Sequence, residues 1–172
     1  MRSGEYLLAT AHRAGNVDDP ARLRRLVDLL LALPPDVVLP LHPRTRARLA
    51  AAGWLGELED AAHVRLRPPL GYLEFSTLLG QARAVLTDSG GVQKEAYLAG
   101  VPCVTLRDST EWVETIDSGW NVLVDLDTDA ALAALDRRAP SDRPALYGDG
   151  QAGARVVAAL AGGPVAAPQE AP

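Results

Sequence analysis

The tetrapeptide Ser89-Gly90-Gly91-Val92 separates an apolar run, Ala84-Val85-Leu86-Thr87, from a helical stretch, Gln93 to Ala99. Strand, tight turn and helix in that order leave backbone N–H groups without intrahelical partners at the positive end of the helix dipole, and phosphate is their natural guest. Two glycines let the backbone approach a ligand with no Cβ in the way. Taken alone, the turn supports two readings: an anion cradle, or an N-cap serine followed by turn-forming glycines. Glu95 follows Gly91 by four residues, and helical Cα–Cβ bonds tilt toward the N-terminus, so its carboxylate is expected over the mouth of the turn. A carboxylate there repels phosphate and suits sugar hydroxyls; an exposed, unpaired helix glutamate is the plain alternative.

Three further polar clusters follow apolar runs. His12-Arg13 follows Tyr6 to Ala11, His42-Pro43-Arg44 follows Val37 to Leu41, and Arg107-Asp108-Ser109-Thr110-Glu111-Trp112 follows Pro102 to Leu106. In the last, Arg107 and Thr110 either face a charged ligand, with Trp112 shaping its wall, or are surface residues above a space-filling tryptophan. Asp108 or Ser109 is the expected cap of the helix that follows. Other chemistries find no support. Ser89 lacks the Gly-x-Ser-x-Gly elbow of a hydrolase nucleophile, no Walker lysine or Gly-x-Gly-x-x-Gly loop is present, and the three histidines have no metal-ligand spacing.

Positioning these clusters calls for a parallel sheet. Apolar runs alternate with amphipathic helical patterns, the mark of an α/β, doubly wound Rossmann-like domain. The expected strands are 6–11, 37–41, 64–66, 84–87, 102–106 and 121–124. The expected helices are 20–33, 45–52, 72–81, 91–99, 111–117 and 129–138. In the first helix Leu23, Leu26, Val27, Leu30 and Leu31 form the inward stripe, with Asp18 or Asp19 as cap and Pro34-Pro35 as stop. In the order 3-2-1-4-5-6 the first and fourth strands are neighbours at the switch point, so His12-Arg13 and Ser89-Gly90-Gly91 meet in the crevice at their carboxyl ends. His63 precedes its strand and belongs to the opposite edge.

At 172 residues, 48% hydrophobic and 23% charged, the chain can bury one full core. A net charge of −5 with no Lys/Arg run argues against a nucleic-acid partner, and no apolar stretch reaches the length of a membrane span. The opening residues lack a secretory pattern and the single Cys103 lies in an apolar run, so a cytoplasmic protein with a buried thiol is expected. One domain over 1–161 and a disordered Gly/Pro/Ala-rich tail over 162–172 complete the expected organisation.

Several motifs in register carry a family resemblance. Leu86-Thr87-Asp88-Ser89-Gly90-Gly91-Val92-Gln93 with Glu95-Ala96, Gly100-Val101-Pro102, and Arg107-Asp108-Ser109-Thr110-Glu111 resembles the signature of UDP-N-acetylglucosamine 2-epimerases. Thr10-Ala11-His12-Arg13 with Asn16, His42-Pro43, Pro69 to Phe75, and Tyr147-Gly148-Asp149-Gly150 match in the same order. The resemblance runs to about Leu160 and covers only the C-terminal half of such an enzyme.

It implies one of two Rossmann-like domains of a glycosyltransferase-B-like architecture, with a UDP-sugar held between them. His12 and Arg13 would lie near the diphosphate, Ser89, Gly90 and Gly91 on the phosphates, Phe75 near uracil and Glu95 on the ribose hydroxyls. Asn16, His42, Arg107, Thr110 and Glu111 are second-rank candidates on the same edge. The implied reaction interconverts UDP-GlcNAc and UDP-ManNAc: UDP leaves carbon 1 as the proton leaves carbon 2, and adds back with carbon 2 inverted. It requires no redox or metal cofactor. The resemblance implies that the proton-transferring acids come mainly from an N-terminal domain whose counterpart is not expected within these 172 residues, so no catalytic residue is assigned here. That domain, a partner chain or a second copy is the expected partner; for the apolar Val156, Val157 and Leu160 three hosts stay open, this domain itself, a second copy or a partner chain, and at least weak self-association is expected. Three departures bear on the sugar: Lys94 replaces a glutamate and is expected in solvent, Leu70 replaces a glutamine, and Trp112-Val113 replaces Arg-Pro. A UDP-sugar binding module and a glycosyltransferase donor domain remain as alternatives.

Overall fold

In the computed structural model, residues 2–34 and 36–162 are described. Six short parallel strands form one sheet: β1 (Leu7–Thr10), β2 (Val37–Pro40), β3 (Val64–Arg67), β4 (Ala84–Thr87), β5 (Cys103–Thr105) and β6 (Asn121–Leu123). Their order is β3-β2-β1-β4-β5-β6, as the alternating pattern predicts. The inner strands β2 and β4 are wholly buried apolar runs because both sheet faces are covered, whereas the edge strand β3 reads Val-Arg-Leu-Arg with both arginines exposed. Residues of β1, β2 and β4 divide between two apolar clusters: Leu7, Ala9, Leu39 and Leu86 with α2 (Pro20–Ala32), and Leu8, Val38 and Val85, with Tyr6 just before β1, with α5 (Tyr72–Gln81) and α6 (Gly90–Ala99).

Helix ends follow their side chains. Asp19 caps α2, its carboxylate accepting from the N–H groups of Ala21 and Arg22 at 2.8 and 3.1 Å, and Pro20 fills the first position. Leu33 turns extended before Pro34 and ends the helix. The inward stripe differs from expectation at one position: Leu29 is fully buried and Leu31 only half-buried. A broad apolar stripe fits either rotation of the helix, and packing against the sheet selects the one with Leu29 inward.

His42 caps α3 (Pro43–Ala52) by accepting from the Arg44 N–H at 3.1 Å. Gly53 closes that helix in the left-handed region, at φ 77°, where a Cβ would be strained. α3 starts two residues before the expected Thr45, and three further elements depart from the periodicity argument. α1 (Ala14–Val17) and α4 (Leu55–Asp60) are too short to display a period, and α7 (Val113–Asp117) starts two residues after the expected Glu111. Neither Asp108 nor Ser109 caps α7: Ser109 Oγ donates to Asp108, and Thr110 Oγ1 accepts from the Trp112 N–H at 3.1 Å. Thr128–Leu135 forms α8.

The chain divides into two compact units, Met1–Pro140 and Ser141–Pro172. The second contains α9 (Ala152–Leu160), led by the Tyr147 to Gly150 turn. Asp149 accepts from the Gln151 N–H and from both terminal nitrogens of Arg155. Val156, Val157 and Leu160 are exposed at 57%, 67% and 84%. Of the expected tail, residues 163–172 lie outside the described residues.

Candidate functional site

The carboxyl ends of β1 and β4 face each other across a register that pairs Thr10 with Thr87. One residue beyond Thr87, Asp88 is wholly buried, and a carboxylate in that position must find donors. Three donors supply them. Asp88 accepts from the N–H groups of His12 and Arg13 at 3.0 and 2.9 Å and from Asn16 Nδ2 at 3.1 Å, while His12 Nδ1 lies 3.6 Å away. The end of β4 thereby fixes the loop after β1. Asn16 also donates to the Leu106 carbonyl at 2.9 Å and accepts from Arg22 at 2.9 Å, so it ties the loop after β5 to the same point. Its amide is buried and engaged, which makes it a brace rather than a surface contact.

Ser89 occupies the N-cap position of α6, yet its hydroxyl makes no capping bond. Its own N–H donates to Thr87 Oγ1 at 3.0 Å. The cap therefore leaves the first-turn N–H groups of α6 to other acceptors. Gly90 is packed on one side. A Cβ there would meet Trp112 Nε1 at 3.3 Å, Glu111 Oε2 at 3.5 Å and Arg13 Nη2 at 3.8 Å. Gly91 is open, with only Ser89 Oγ at 4.0 Å.

Around this turn the charges are partly matched already. Arg107 forms a two-pronged bond to Glu111 at 2.9 and 3.0 Å, and Arg13 Nη2 lies 3.9 Å from the same carboxylate. Bonding to Arg107 holds the Glu111 carboxyl well down, at about 2. Thr110 donates to Gln93 Oε1 at 2.6 Å, and Asn121 donates to the same oxygen at 3.2 Å. Both Arg107 and Thr110 are thus committed to partners within the loop and α6. Lys94, expected in solvent, instead places Nζ 4.1 Å from the centre of the Trp112 ring, a cation–π contact.

Phe75, His12, His42 and Val92 line one hollow of about 240 Å³ with Thr10, Pro40 and Pro69. The two imidazoles stack there, centres 5.3 Å apart. Arg13, Asn16, Arg22, Arg107 and Asp108 line a second hollow of about 330 Å³. Glu95 opens into a third, between α5 and α6, with Tyr72, Ser76 and Leu98. Partial burial there raises its carboxyl above the ordinary range, and Ser76 Oγ beside it is buried without a partner. The glutamate therefore sits on the flank of α6 and not over the turn itself. His63 lies before β3, its Nε2 3.4 Å from the Leu30 carbonyl, away from all these groups.

A six-stranded 3-2-1-4-5-6 sheet with a glycine-opened helix start at its switch point, ringed by a histidine pair and arginines, defines a Rossmann-like domain with a candidate anion site. Comparison with known proteins narrows the class. The family model for UDP-N-acetylglucosamine 2-epimerase matches residues 1–161, and the chain belongs to that family. It is 47% identical over 163 residues to the UDP-2,3-diacetamido-2,3-dideoxy-D-glucuronate 2-epimerase of Pseudomonas aeruginosa, covering 91% of this chain and 44% of that protein. To the UDP-N-acetylglucosamine 2-epimerase of Methanocaldococcus jannaschii it is 37% identical over 164 residues, with the same shares covered.

The crystal structure of that archaeal enzyme in complex with UDP-GlcNAc and UDP superposes with a TM-score of 0.84 at 37% identity, over 92% of this chain and 45% of that one. The Neisseria meningitidis enzyme bound to UDP-GlcNAc gives 0.75 at 28%, with the same coverage. The chain thus spans about 44% of the length of the curated relatives it matches. The expected Rossmann-like half of a glycosyltransferase-B-like epimerase is the fold found.

Proposed function

We propose that this chain is the UDP-binding half of a UDP-sugar 2-epimerase, with residues 1–161 as the binding domain. The observation that carries the reading is the bonding of Asp88 to the His12 and Arg13 backbone, which clamps that loop against the helix start at Ser89-Gly90-Gly91. His12, Arg13 and the α6 N–H groups then grip the diphosphate, Phe75 lies by the base, and Glu95 takes the ribose hydroxyls from the flank of α6. Departing UDP gains negative charge, and fixed donors aimed at that charge are worth about 10²–10³ in rate apiece at comparable sites. Groups that move the carbon 2 proton are supplied from outside this chain, by a preceding domain or a partner chain. Alone, the chain is expected to bind UDP weakly and to turn over nothing.

The sugar has two candidates. UDP-N-acetylglucosamine follows from the family, while the 47% identity to an epimerase of a diacetamido-glucuronate favours a UDP-sugar bearing a carboxylate. The exposed apolar face of α9 is proposed as a contact for the missing half or a second copy, which sedimentation equilibrium would detect.

Calorimetry with UDP on the parent, Ser89→Trp and Glu95→Ala chains tests the site. Saturable binding lost in the first variant and weakened in the second is expected. Unchanged binding in both, or no binding to the parent at millimolar UDP, would remove the reading. Epimerisation by the pure chain would overturn the expected inactivity.

A further inference from the structure

A hollow of about 210 Å³ lies at the amino ends of β4, β5 and β6, on the sheet edge opposite the Gly90 turn. Val104 and Leu135 give it apolar walls, together with the Trp120 indole, which meets Tyr97 edge-on with ring centres 6.4 Å apart. Among the described residues its lining also holds three arginines and no carboxylate. Arg83, one residue before β4, donates from Nη2 to the Leu135 carbonyl at 3.0 Å and so satisfies an orphan acceptor at the end of α8. Arg137 packs on Gly119, where a Cβ would stand 4.0 Å from Nη2 and 3.3 Å from Pro140 Cγ. Arg138 follows it at the rim. Among the described residues none of the three forms an ion pair.

Three guanidinium groups converging without a counter-charge repel one another, in a chain whose net charge is −5. An anion relieves that repulsion. Guanidinium forks pair with phosphate oxygens two at a time, and three cations suit a dianion better than a monoanion. The apolar walls call for an uncharged body beside the anionic head. At about 30 Å³ per water the hollow equals about seven waters, which is room for one small ring and too little for a nucleotide sugar. Four residues of β4 at about 3.3 Å each set it about 13 Å from the Asp88 end of that strand. We propose that this hollow is a second ligand site, separate from the nucleotide crevice, for a phosphate monoester with a small apolar body. The body enters between Trp120 and Leu135, and the phosphate lies across Arg83, Arg137 and Arg138.

The test is titration of the isotope-labelled full chain with phenyl phosphate, inorganic phosphate and phenol, with and without UDP, followed by NMR. Phenyl phosphate should bind saturably at millimolar concentration and shift the backbone signals of Ala84, Cys103 and Trp120, with the same affinity when UDP is present. Inorganic phosphate, which lacks the ring, and phenol, which lacks the head, should each bind about tenfold more weakly. The double variant Arg137→Gln with Arg138→Gln should weaken phenyl phosphate about tenfold, while Arg65→Gln, which removes a surface arginine from the edge strand β3, should stay within about twofold of the parent. Absence of saturable shifts at Ala84, Cys103 and Trp120 in the parent, or their reversal by UDP, overturns the proposal. So does inorganic phosphate binding as tightly as phenyl phosphate, or an equal loss in the double variant and in Arg65→Gln.

Discussion

Replacing Asp88 by alanine should destabilise the Met1–Pro140 unit and disassemble the site together. The carboxylate is wholly buried and accepts from two backbone N–H groups and one amide, at 3.0, 2.9 and 3.1 Å. Hydrogen bonds to a charged group contribute about 1.5–3 kcal/mol each, but three donors on one carboxylate are not independent, so a total of about 3–4 kcal/mol is expected. Asparagine keeps one acceptor oxygen and turns an amide toward the His12 N–H, so Asp88→Asn should cost about half as much. Over the 140 residues of this unit, an unfolding entropy of about 2.1 cal/mol/K per residue makes 1 kcal/mol worth about 3–4 °C. Asp88→Ala should therefore melt about 10–13 °C below the parent by circular dichroism, and Asp88→Asn about 5–7 °C below. Both should lose UDP binding while still folded at 10 °C, because the His12-Arg13 loop is no longer clamped. An alanine variant melting within about 3 °C of the parent would refute the claim that this carboxylate organises the crevice.

Gly90→Ala should change stability by less than about 1 kcal/mol, since alanine favours the helix while its Cβ crowds Trp112 at 3.3 Å, yet weaken UDP about tenfold in calorimetry. The Glu111 carboxyl is held at about 2 by Arg107, below its ordinary 4.5, so its contribution is present above pH 4.5 and is lost as pH falls toward 2. Because the pair is solvent-screened, parent melting should fall only about 1–3 °C further than that of Glu111→Gln between pH 5 and pH 2.5. Burial pushes the Cys103 thiol up to about 12, so a disulfide reagent at pH 8 should leave it unmodified in the native chain and titrate one thiol in denaturant.

The sheet was legible because its physics is local and repetitive. Runs such as Val37 to Leu41 and Ala84 to Thr87 can be buried on both faces only in a parallel sheet, and right-handed crossovers leave few orders for six of them. Strand ends were off by a residue or two where pairing, not composition, decides the boundary, as at Tyr6 and Leu106. The four-residue α1 carries no period at all, and α4 buries only Leu58, so neither announces itself in the sequence. Glycine at the turn and polar residues after each strand located the crevice, because strands in parallel deliver their carboxyl ends to one edge.

The allocation of charge within that crevice was not legible, and the reason is geometric. Asp88 follows an apolar strand directly, which signals a carboxylate that burial would force to find donors; those donors lie 72 to 76 residues earlier and come mostly from backbone. Arg107 and Glu111 are four apart, a spacing that in a helix would pair them at once, but here the intervening residues are loop and the pairing depends on its path. That path decides function. With Glu111 turned toward Arg107, the conspicuous arginine of the motif is tied to its own loop, while Arg13 approaches the same carboxylate only at 3.9 Å. A motif thus specifies where an anion can sit; which cations meet it depends on the neighbours that hold or release them.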